Sequence, residues 1–203
     1  MNDSKVVVFD LGGVLVESVG VDVLAARFPQ LGARSAVLER WQKSQAVARF
    51  ERGMLSPEAF AAAFMREWSL ELDEPVFLEL LASWVTGFFP GARELVQGLR
   101  SRHRVACLSN TNAVHWARLP GIEQIFDHCF VSFISGFMKP DREAYAHALK
   151  SLGVEPGAVY FFDDLPANVA AARAAGINAF LVRGVAETEA RLRAEGLYSG
   201  GSA

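Results

Sequence analysis

Three short apolar runs stand out in the hydrophobic pattern of this chain, and each stops on a small polar or acidic residue. The runs, each with the residue or residues that follow it, are Val6–Phe9 with Asp10, Val105–Leu108 with Ser109, and Val159–Phe162 with Asp163 and Asp164. Short runs rich in β-branched and aromatic residues are typical of buried parallel strands. Strand and helix patterns alternate from about residue 89 to Val182, which predicts an α/β fold with a doubly wound parallel, Rossmann-like sheet.

Residues 18–88 differ from the rest of the chain because they show helical periodicity and no convincing strand. Ser56-Pro57-Glu58 is typical of a helix start, with serine as N-cap, proline at the first helical position and an acid in the first turn. We expect the apolar core of this segment to contain Phe50, Met54, Phe60, Phe64, Trp68 and Trp84. The pattern predicts a helical bundle of residues 18–88, inserted into a core domain of residues 1–17 and 89–203.

Composition limits the classes of function. The 203 residues are 51% apolar and carry a formal net charge of −3, with no run of positive charge, so we expect no nucleic-acid partner. We also expect no membrane association, because no apolar run reaches membrane-spanning length. The start of the chain lacks a signal-peptide pattern, and Cys107 and Cys129 are expected to be buried free thiols. These features predict a cytoplasmic protein, and either a monomer or a homodimer is compatible with them.

The acids at the strand ends are the first candidates for chemistry. Ligands of parallel α/β sheets bind beyond the carboxyl ends of the strands, where the strand order reverses. Asp10 could act there as a nucleophile or metal ligand, or it could be an ordinary turn residue. Asp163 and Asp164 place two like charges together, which calls for a cation, and oxygen ligands suit Mg²⁺. Capping of the following helix would explain one of these two acids but not both.

Lys139 and the polar residues after the second run are further candidates. Lys139 precedes Pro140, which is expected to begin the next helix, so the lysine should lie at a strand-to-helix junction. A lone lysine is usually solvated, but one fixed beside carboxylates is suited to binding phosphate. Ser109 and Asn110 offer hydroxyl, amide and backbone N–H donors for phosphate oxygens, although an ordinary turn has the same composition.

Together these segments resemble the haloacid dehalogenase superfamily over nearly the whole chain. Segments similar to its four motifs occur in order: Phe9–Val14, Leu108–Asn110, Lys139-Pro140 and Phe162–Asp164. The inserted helices correspond to the α-helical cap of that family. The segments Glu51–Gly53, Glu58–Phe60 and Ser109–Asn112 resemble the subgroup of phosphatases that act on α-D-glucose 1-phosphate.

The resemblance implies a Mg²⁺-dependent phosphatase for a small phosphorylated metabolite, with a sugar phosphate as the expected substrate. Asp10 would attack phosphorus to form an aspartyl-phosphate, and Lys139 would neutralise both the nucleophile and the transferring group. Ser109 and Asn110 would bind that phosphoryl group. The implied Mg²⁺ ligands are Asp10, the backbone carbonyl of Gly12, Asp164 and, directly or through water, Asp163. Dehalogenation is disfavoured, because relatives with that activity need no metal and lack the acid pair.

The chain departs from the family pattern at Gly12. Phosphatases of this family commonly carry a second aspartate there as general acid and base, a function worth about 10²- to 10⁴-fold in rate. Its loss predicts a slower enzyme or a substrate with a good leaving group, such as an anomeric phosphate. Glu17 could substitute, but we expect it in the turn that leads into the helices. Gly12 also leaves open a non-catalytic phosphate-binding protein, and a sugar-phosphate mutase is a third possibility.

Several residues in or near the inserted segment could contact a substrate. Arg49, Arg52 and His115 are candidates, although a solvated surface position would explain each of them equally well. Trp41 and Trp116 could line the cleft or could simply be packing residues.

Overall fold

The computed structural model describes residues 5–199 and has a parallel sheet at its centre. The strands are β1 (Val6–Phe9), β2 (Val16–Ser18), β3 (Val85–Phe88), β4 (Arg104–Ser109), β5 (His128–Val131), β6 (Val159–Asp163) and β7 (Asn178–Leu181). Five of them form the central sheet in the order β5-β4-β1-β6-β7, and every neighbouring pair is parallel. Because the order reverses at β1, the sheet is doubly wound, and the predicted Rossmann-like α/β fold is confirmed.

Helices cover both faces of this sheet and fill the segment between β2 and β3. They are α1 (Gly20–Arg27), α2 (Arg34–Lys43), α3 (Gln45–Glu51), α4 (Pro57–Trp68), α5 (Glu74–Ala82), α6 (Ala92–Arg100), α7 (Ala113–Trp116), α8 (Ile122–Ile125), α9 (Ser132–Ser135), α10 (Arg142–Leu152), α11 (Pro166–Ala174) and α12 (Gly184–Ala194). Within residues 5–199, none of these helices combines the length and the apolar character that crossing a membrane requires.

The central strand β1 is buried on both of its faces, and its side chains alternate between two apolar clusters. Val6 and Val8 belong to the cluster that contains residues of α10 and α11. Val7 and Phe9 belong to the cluster that contains residues of α6 and α12. Since both faces are covered, polar side chains on this strand can reach a ligand only at its carboxyl end.

The helices α1–α5 form a third apolar cluster of their own, which we call the cap core. Phe50, Phe60, Phe64, Trp68 and Trp84 are buried in it, as the helical spacing predicts. The prediction for Met54 is wrong: it lies after the end of α3 and is 63% exposed. Trp41 is half-buried and packs edge-on against aromatic rings of the cap core. Of the two roles considered for it, lining the cleft or packing, the structure shows packing.

A two-stranded ribbon connects the cap helices to the sheet. Strand β2 pairs antiparallel with β3, with Val16 opposite Phe88. The expectation that residues 18–88 contain no strand is therefore wrong. Both strands are short, and Val16-Glu17-Ser18 has too few apolar positions to show a period. The predicted boundary between residues 17 and 18 falls inside β2, so the domain limits stay a prediction.

Two smaller expectations also need correction. Helix α10 begins at Arg142 with Asp141 at its N-cap, so Pro140 does not begin it. Lys139 lies in the loop between α9 and α10, and its peptide bond to Pro140 is cis. Cys107 is buried as expected, but Cys129, its neighbour across β4 and β5, is only half-buried. The sequence does not predict these differences, because the start of α10 and the burial of Cys129 depend on how the loop and the edge strand pack.

Candidate active site

Asp10 lies directly beyond the carboxyl end of β1, between the ends of β4 and β6. Its backbone N–H donates to the carbonyl of Phe162 at 2.8 Å, which extends the β1–β6 ladder by one residue. Its Oδ1 accepts a hydrogen bond from the N–H of Leu11 at 2.7 Å. No hydrogen bond or ion pair within residues 5–199 engages its Oδ2. One carboxylate oxygen of Asp10 is therefore held in place while the other is available to a ligand.

Lys139 connects Asp10 to the acids at the end of β6. Its ammonium nitrogen Nζ lies 2.9 Å from Asp10 Oδ1 and 2.7 Å from Asp163 Oδ2. The side chain of Lys139 is 1% exposed, so both ion pairs are shielded from water. Although burial alone lowers the pKa of Lys139, the carboxylates of Asp10 and Asp163 raise it above its usual value. Lys139 is thus a fixed, permanently charged cation at the site.

Asp163 is saturated with protein donors. Besides Lys139, the N–H of Leu165 donates to its Oδ1 at 2.8 Å, and the Asn168 amide donates to both oxygens at 3.0 and 3.1 Å. The side chain of Asp163 is fully buried. Asn168 is a positioning residue that sequence reasoning missed, because its contact with Asp163 depends on the geometry of the first turn of α11. Asp163 therefore holds Lys139 and is poorly placed to bind a metal directly.

Asp164 completes a cluster of three carboxyl groups. Oxygen atoms of Asp10, Asp163 and Asp164 all lie within 4.8 Å of one another. The loop after β1 approaches Asp164 closely at Gly13, where φ is +74° and an added Cβ would lie 2.5 Å from Asp164 Oδ2. Only glycine fits there, because both the positive φ and the close contact exclude a side chain.

Charge balance in the cluster favours a cation. The pKa of Asp10 is raised to about 6 and that of Asp164 to about 7, with burial as the main cause; neighbouring carboxylates also raise both values, and Lys139 lowers them. Three carboxyl groups beside one ammonium leave excess negative charge, which a divalent cation would neutralise. Carboxylate oxygens are ligands that suit Mg²⁺. Because the oxygens of Asp163 are already bonded, Asp10 and Asp164 are the best-placed ligands.

Ser109 is the last residue of β4, as the sequence predicts, and the polar residues after it lead into α7. Ser109 is buried at the end of β4. The side-chain amide of Asn110 bonds the backbone of Lys139 at both ends. Thr111 donates its N–H to the Ser132 hydroxyl, and Asn112 caps α7. The structure thus brings Asn110 to the site as a support for Lys139.

Glu51 is a second residue that the sequence analysis did not name as a site candidate, although it quoted the segment Glu51–Gly53. It ends α3 and is 9% exposed, on the same buried helix face as Val47 and Phe50. Burial and the negative charge of Asp10 raise its pKa to about 7, although Lys139 and Arg52 act in the opposite direction. An acid four residues after a buried valine, on an otherwise apolar helix face, is the signal that could have identified it.

The other residues that the sequence analysis named as possible substrate contacts either face solvent or have other partners. Arg52 forms an ion pair with Asp141 at 2.7 Å, and Arg49 is exposed. His115 lies between the Leu81 carbonyl and the Asn112 amide, and burial lowers its pKa to about 4, so it is neutral at physiological pH. Trp116 donates its Nε1–H to Glu123 and packs against the cluster that contains α6.

Comparison with known proteins agrees with this geometry. The sequence model of the haloacid dehalogenase-like hydrolase family matches residues 4–176. A crystal structure of the HAD family enzyme BT-2542 from Bacteroides thetaiotaomicron, in complex with magnesium and inorganic phosphate, superposes with a TM-score of 0.72 at 22% identity. That match covers 89% of this chain and 94% of the other, and at this level of identity it supports the fold alone.

Two relatives match over different shares of their length. Acyl-CoA dehydrogenase family member 10 of Mus musculus is 29% identical over 88% of this chain, but the match covers only 18% of the mouse protein. Phosphatase MT3486 of Mycobacterium tuberculosis is 33% identical over 61% of this chain and 59% of its own length. The chain therefore spans less than two thirds of either relative.

Proposed function

Because the chain belongs to the haloacid dehalogenase-like hydrolases, we propose that it is a Mg²⁺-dependent phosphatase that acts on a small phosphorylated metabolite. The observation that carries the proposal is the position of Lys139 Nζ between Asp10 and Asp163, two acids that cluster with Asp164. A buried cation next to a carboxylate with one free oxygen suits phosphoryl transfer, which depends chiefly on alignment and charge neutralisation. The name of the mycobacterial relative, a phosphatase, agrees with the proposal.

Asp10 is the proposed nucleophile. Its Oδ1 is fixed by Leu11 and Lys139, so Oδ2 is free to attack phosphorus and form an aspartyl-phosphate. Lys139 would reduce the repulsion between this carboxylate and an incoming dianionic phosphate. Asn110 would hold Lys139 in place, while Ser109, at the end of the neighbouring strand β4, would bind an oxygen of the phosphoryl group.

Asp10 and Asp164 would hold Mg²⁺, with the Gly12 carbonyl as a further oxygen ligand and Asp163 contributing only through water. When bound, Mg²⁺ would withdraw charge from the phosphoryl oxygens. The donor set fits this role, because Asp10 and Asp164 are acids whose pKa values are raised by burial and mutual repulsion.

The expected substrate is a sugar phosphate, on the basis of two arguments. Gly12 provides no acid to protonate a poor leaving group, and an anomeric phosphate departs more easily than a simple alkyl phosphate. The segment Glu51–Gly53, part of the sequence resemblance to phosphatases of α-D-glucose 1-phosphate, lies on the cap side of the site.

Phosphate release from a panel of phosphorylated metabolites, with Mg²⁺ and with EDTA, tests the proposal. We expect Mg²⁺-dependent release by the natural chain and none by Asp10→Asn. Gly12 also favours a second candidate, a phosphate-binding protein without turnover, and that candidate predicts binding of phosphate with no release from any substrate. A mutase would yield an isomerised sugar phosphate in place of free phosphate.

A further inference from the structure

Glu51 is largely buried, but its carboxyl oxygens are not among the fully enclosed, unpartnered polar atoms of residues 5–199. It is 9% exposed, and no residue in the range 5–199 forms a hydrogen bond or an ion pair with its carboxylate. A polar atom that is enclosed in the protein is normally hydrogen-bonded, so the unpartnered oxygens of Glu51 lie where water or a ligand can reach them. The neighbouring side chains Val47 and Phe50 pack in the apolar cap core. A stability role for Glu51 is therefore hard to justify, and a ligand-directed role explains its position better.

Two contacts place the end of α3 against the core beside Lys139. Arg52 Nη2 lies 2.7 Å from Asp141 Oδ2. Gly53, with φ of +72°, approaches the backbone so closely that an added Cβ would lie 2.2 Å from the Phe133 carbonyl oxygen. Phe133 and Asp141 lie on either side of Lys139 in the chain. The residue just before these contacts, Glu51, is consequently held on the cap side of the site.

The charged residues of the site shift the pKa of Glu51, as expected for a side chain on the cap side of the site. Burial disfavours its charged form most strongly, and the negative charge of Asp10 adds to that effect. The cations Lys139 and Arg52 favour the charged form. Glu51 is thus electrostatically coupled to the proposed nucleophile, although the two residues come from different parts of the molecule.

Within residues 5–199, no side chain fills the position that Gly12 leaves open. A Cβ built on Gly12 would meet nothing within 4 Å, so the space beside it is vacant. Glu17 is exposed on β2 and accepts a hydrogen bond from Thr86, so it does not turn into this space. His115 is engaged through both ring nitrogens with Leu81 and Asn112. Of these groups, only Glu51 is both unpartnered and buried at the site.

We propose that Glu51 is the general acid and base of the reaction and so replaces the carboxyl group that is absent at Gly12. This inference rests on the proposed phosphatase function. In the first step Asp10 Oδ2 forms a bond to phosphorus, the bond to the leaving oxygen breaks, and the Glu51 carboxyl group donates its proton to that oxygen. The products are an alcohol, the aspartyl-phosphate and the Glu51 carboxylate.

In the second step the Glu51 carboxylate accepts a proton from water as the water oxygen attacks phosphorus. The bond between phosphorus and Asp10 breaks, which releases inorganic phosphate, restores the Asp10 carboxylate and returns the proton to Glu51. Glu51 therefore gains and loses one proton per cycle, and no additional reactant is required.

Variants of Glu51 and a series of leaving groups test this proposal. Glu51→Gln keeps the size of the side chain but cannot transfer a proton, and Glu71→Gln changes an exposed acid of the cap as a matched control. With an alkyl phosphate, we expect kcat of Glu51→Gln to fall about 10²- to 10⁴-fold. With p-nitrophenyl phosphate, whose leaving group needs no proton, we expect a rapid burst of nitrophenolate followed by slow turnover. The natural chain and Glu71→Gln should show neither change.

Binding of beryllium fluoride, measured by calorimetry with Mg²⁺, supplies a readout that is independent of turnover. Glu51→Gln should bind this phosphoryl mimic as the natural chain does, which shows that the site is intact, whereas Asp10→Asn should not. An equal loss of the first-step rate with every leaving group, seen as loss of the nitrophenolate burst, or no loss of rate at all, would overturn the role of Glu51 and leave the phosphatase function standing. Absence of Asp10-dependent turnover in the natural chain would overturn both.

Discussion

The side-chain amide of Asn110 holds the backbone of Lys139 from both directions. Its Nδ2 donates to the Lys139 carbonyl at 2.7 Å, and its Oδ1 accepts from the Lys139 N–H at 2.9 Å. These bonds connect the end of β4 to the loop between α9 and α10. The lysine backbone is fixed by one strand end, while its ammonium group reaches the acids at two others, Asp10 and Asp163.

Replacing Asn110 should therefore misplace Lys139. We expect Asn110→Ala to lower kcat by about 10- to 100-fold, because displacement of a catalytic group by about 1 Å has effects of this size. Its free energy of unfolding should fall by about 1–3 kcal/mol through the unpaired backbone groups. Asn178→Ala is a matched control, because this amide also bonds backbone carbonyls but lies on β7. A normal kcat in Asn110→Ala would refute its positioning role.

Lys139 should also be important for stability. Lys139→Met would leave buried carboxyl groups without their cation, and loss of one partner from a buried ion pair costs about 3–5 kcal/mol. The loss should be larger at pH 8, where the carboxyl group of Asp10 is charged, than at pH 5, where Asp10, with a pKa of about 6, is largely neutral. Urea unfolding of both proteins at the two pH values measures this difference. An equal loss at pH 5 and pH 8 would contradict the coupling.

Mg²⁺ should stabilise the natural chain through Asp164. Ligand binding to the folded state raises the free energy of unfolding by about 2.7 kcal/mol at 100 times Kd. We expect Asp164→Asn to lose most of the Mg²⁺-induced rise in Tm. Without metal at pH 8, this variant should be at least as stable as the natural chain, because the pKa of Asp164, about 7, reflects burial and repulsion that the amide removes. Asp73→Asn, on the exposed start of α5, is the control.

Glu51 should give the free energy of unfolding a distinct pH dependence. Its pKa is raised from 4.5 to about 7 in the folded protein, so the folded state binds the proton more tightly than the unfolded chain. The stability contributed by this group is fully present below pH 4.5 and is lost as the pH rises towards 7. Relative to Glu51→Gln, the natural chain should lose about 3 kcal/mol over this range. If the difference in the free energy of unfolding between the two proteins does not change with pH, the pKa of Glu51 is not raised on folding, and the group is charged in the folded protein at pH 7.

The sheet and the acids at its strand ends could be predicted from sequence for a physical reason. Parallel strands buried on both faces produce apolar runs, and their carboxyl ends meet at one edge. Asp10 and Asp163 are thus brought together by topology alone, and the structure adds that Lys139 pairs with both. The catalytic and metal-binding roles of these residues stay predictions.

The remaining features depend on tertiary contacts that local patterns do not contain. The ribbon of β2 and β3 pairs two short segments that lie far apart in the chain. Met54 continues a helical spacing, but α3 has already ended and the residue faces solvent. The contacts of Gly53 and Arg52 hold the end of α3, and with it Glu51, against the core.

Covalent phosphorylation of Asp10 is the central claim, and reductive trapping tests it most directly. The natural chain is mixed with Mg²⁺ and a substrate that it turns over, quenched during turnover with borohydride, digested and analysed by mass spectrometry. We expect the peptide that contains Asp10 to carry the mass change for reduction of an acyl phosphate to an alcohol, and the corresponding peptide of Asp10→Asn to be unchanged. Continued turnover with an unmodified Asp10 peptide, or turnover by Asp10→Asn, would contradict the account.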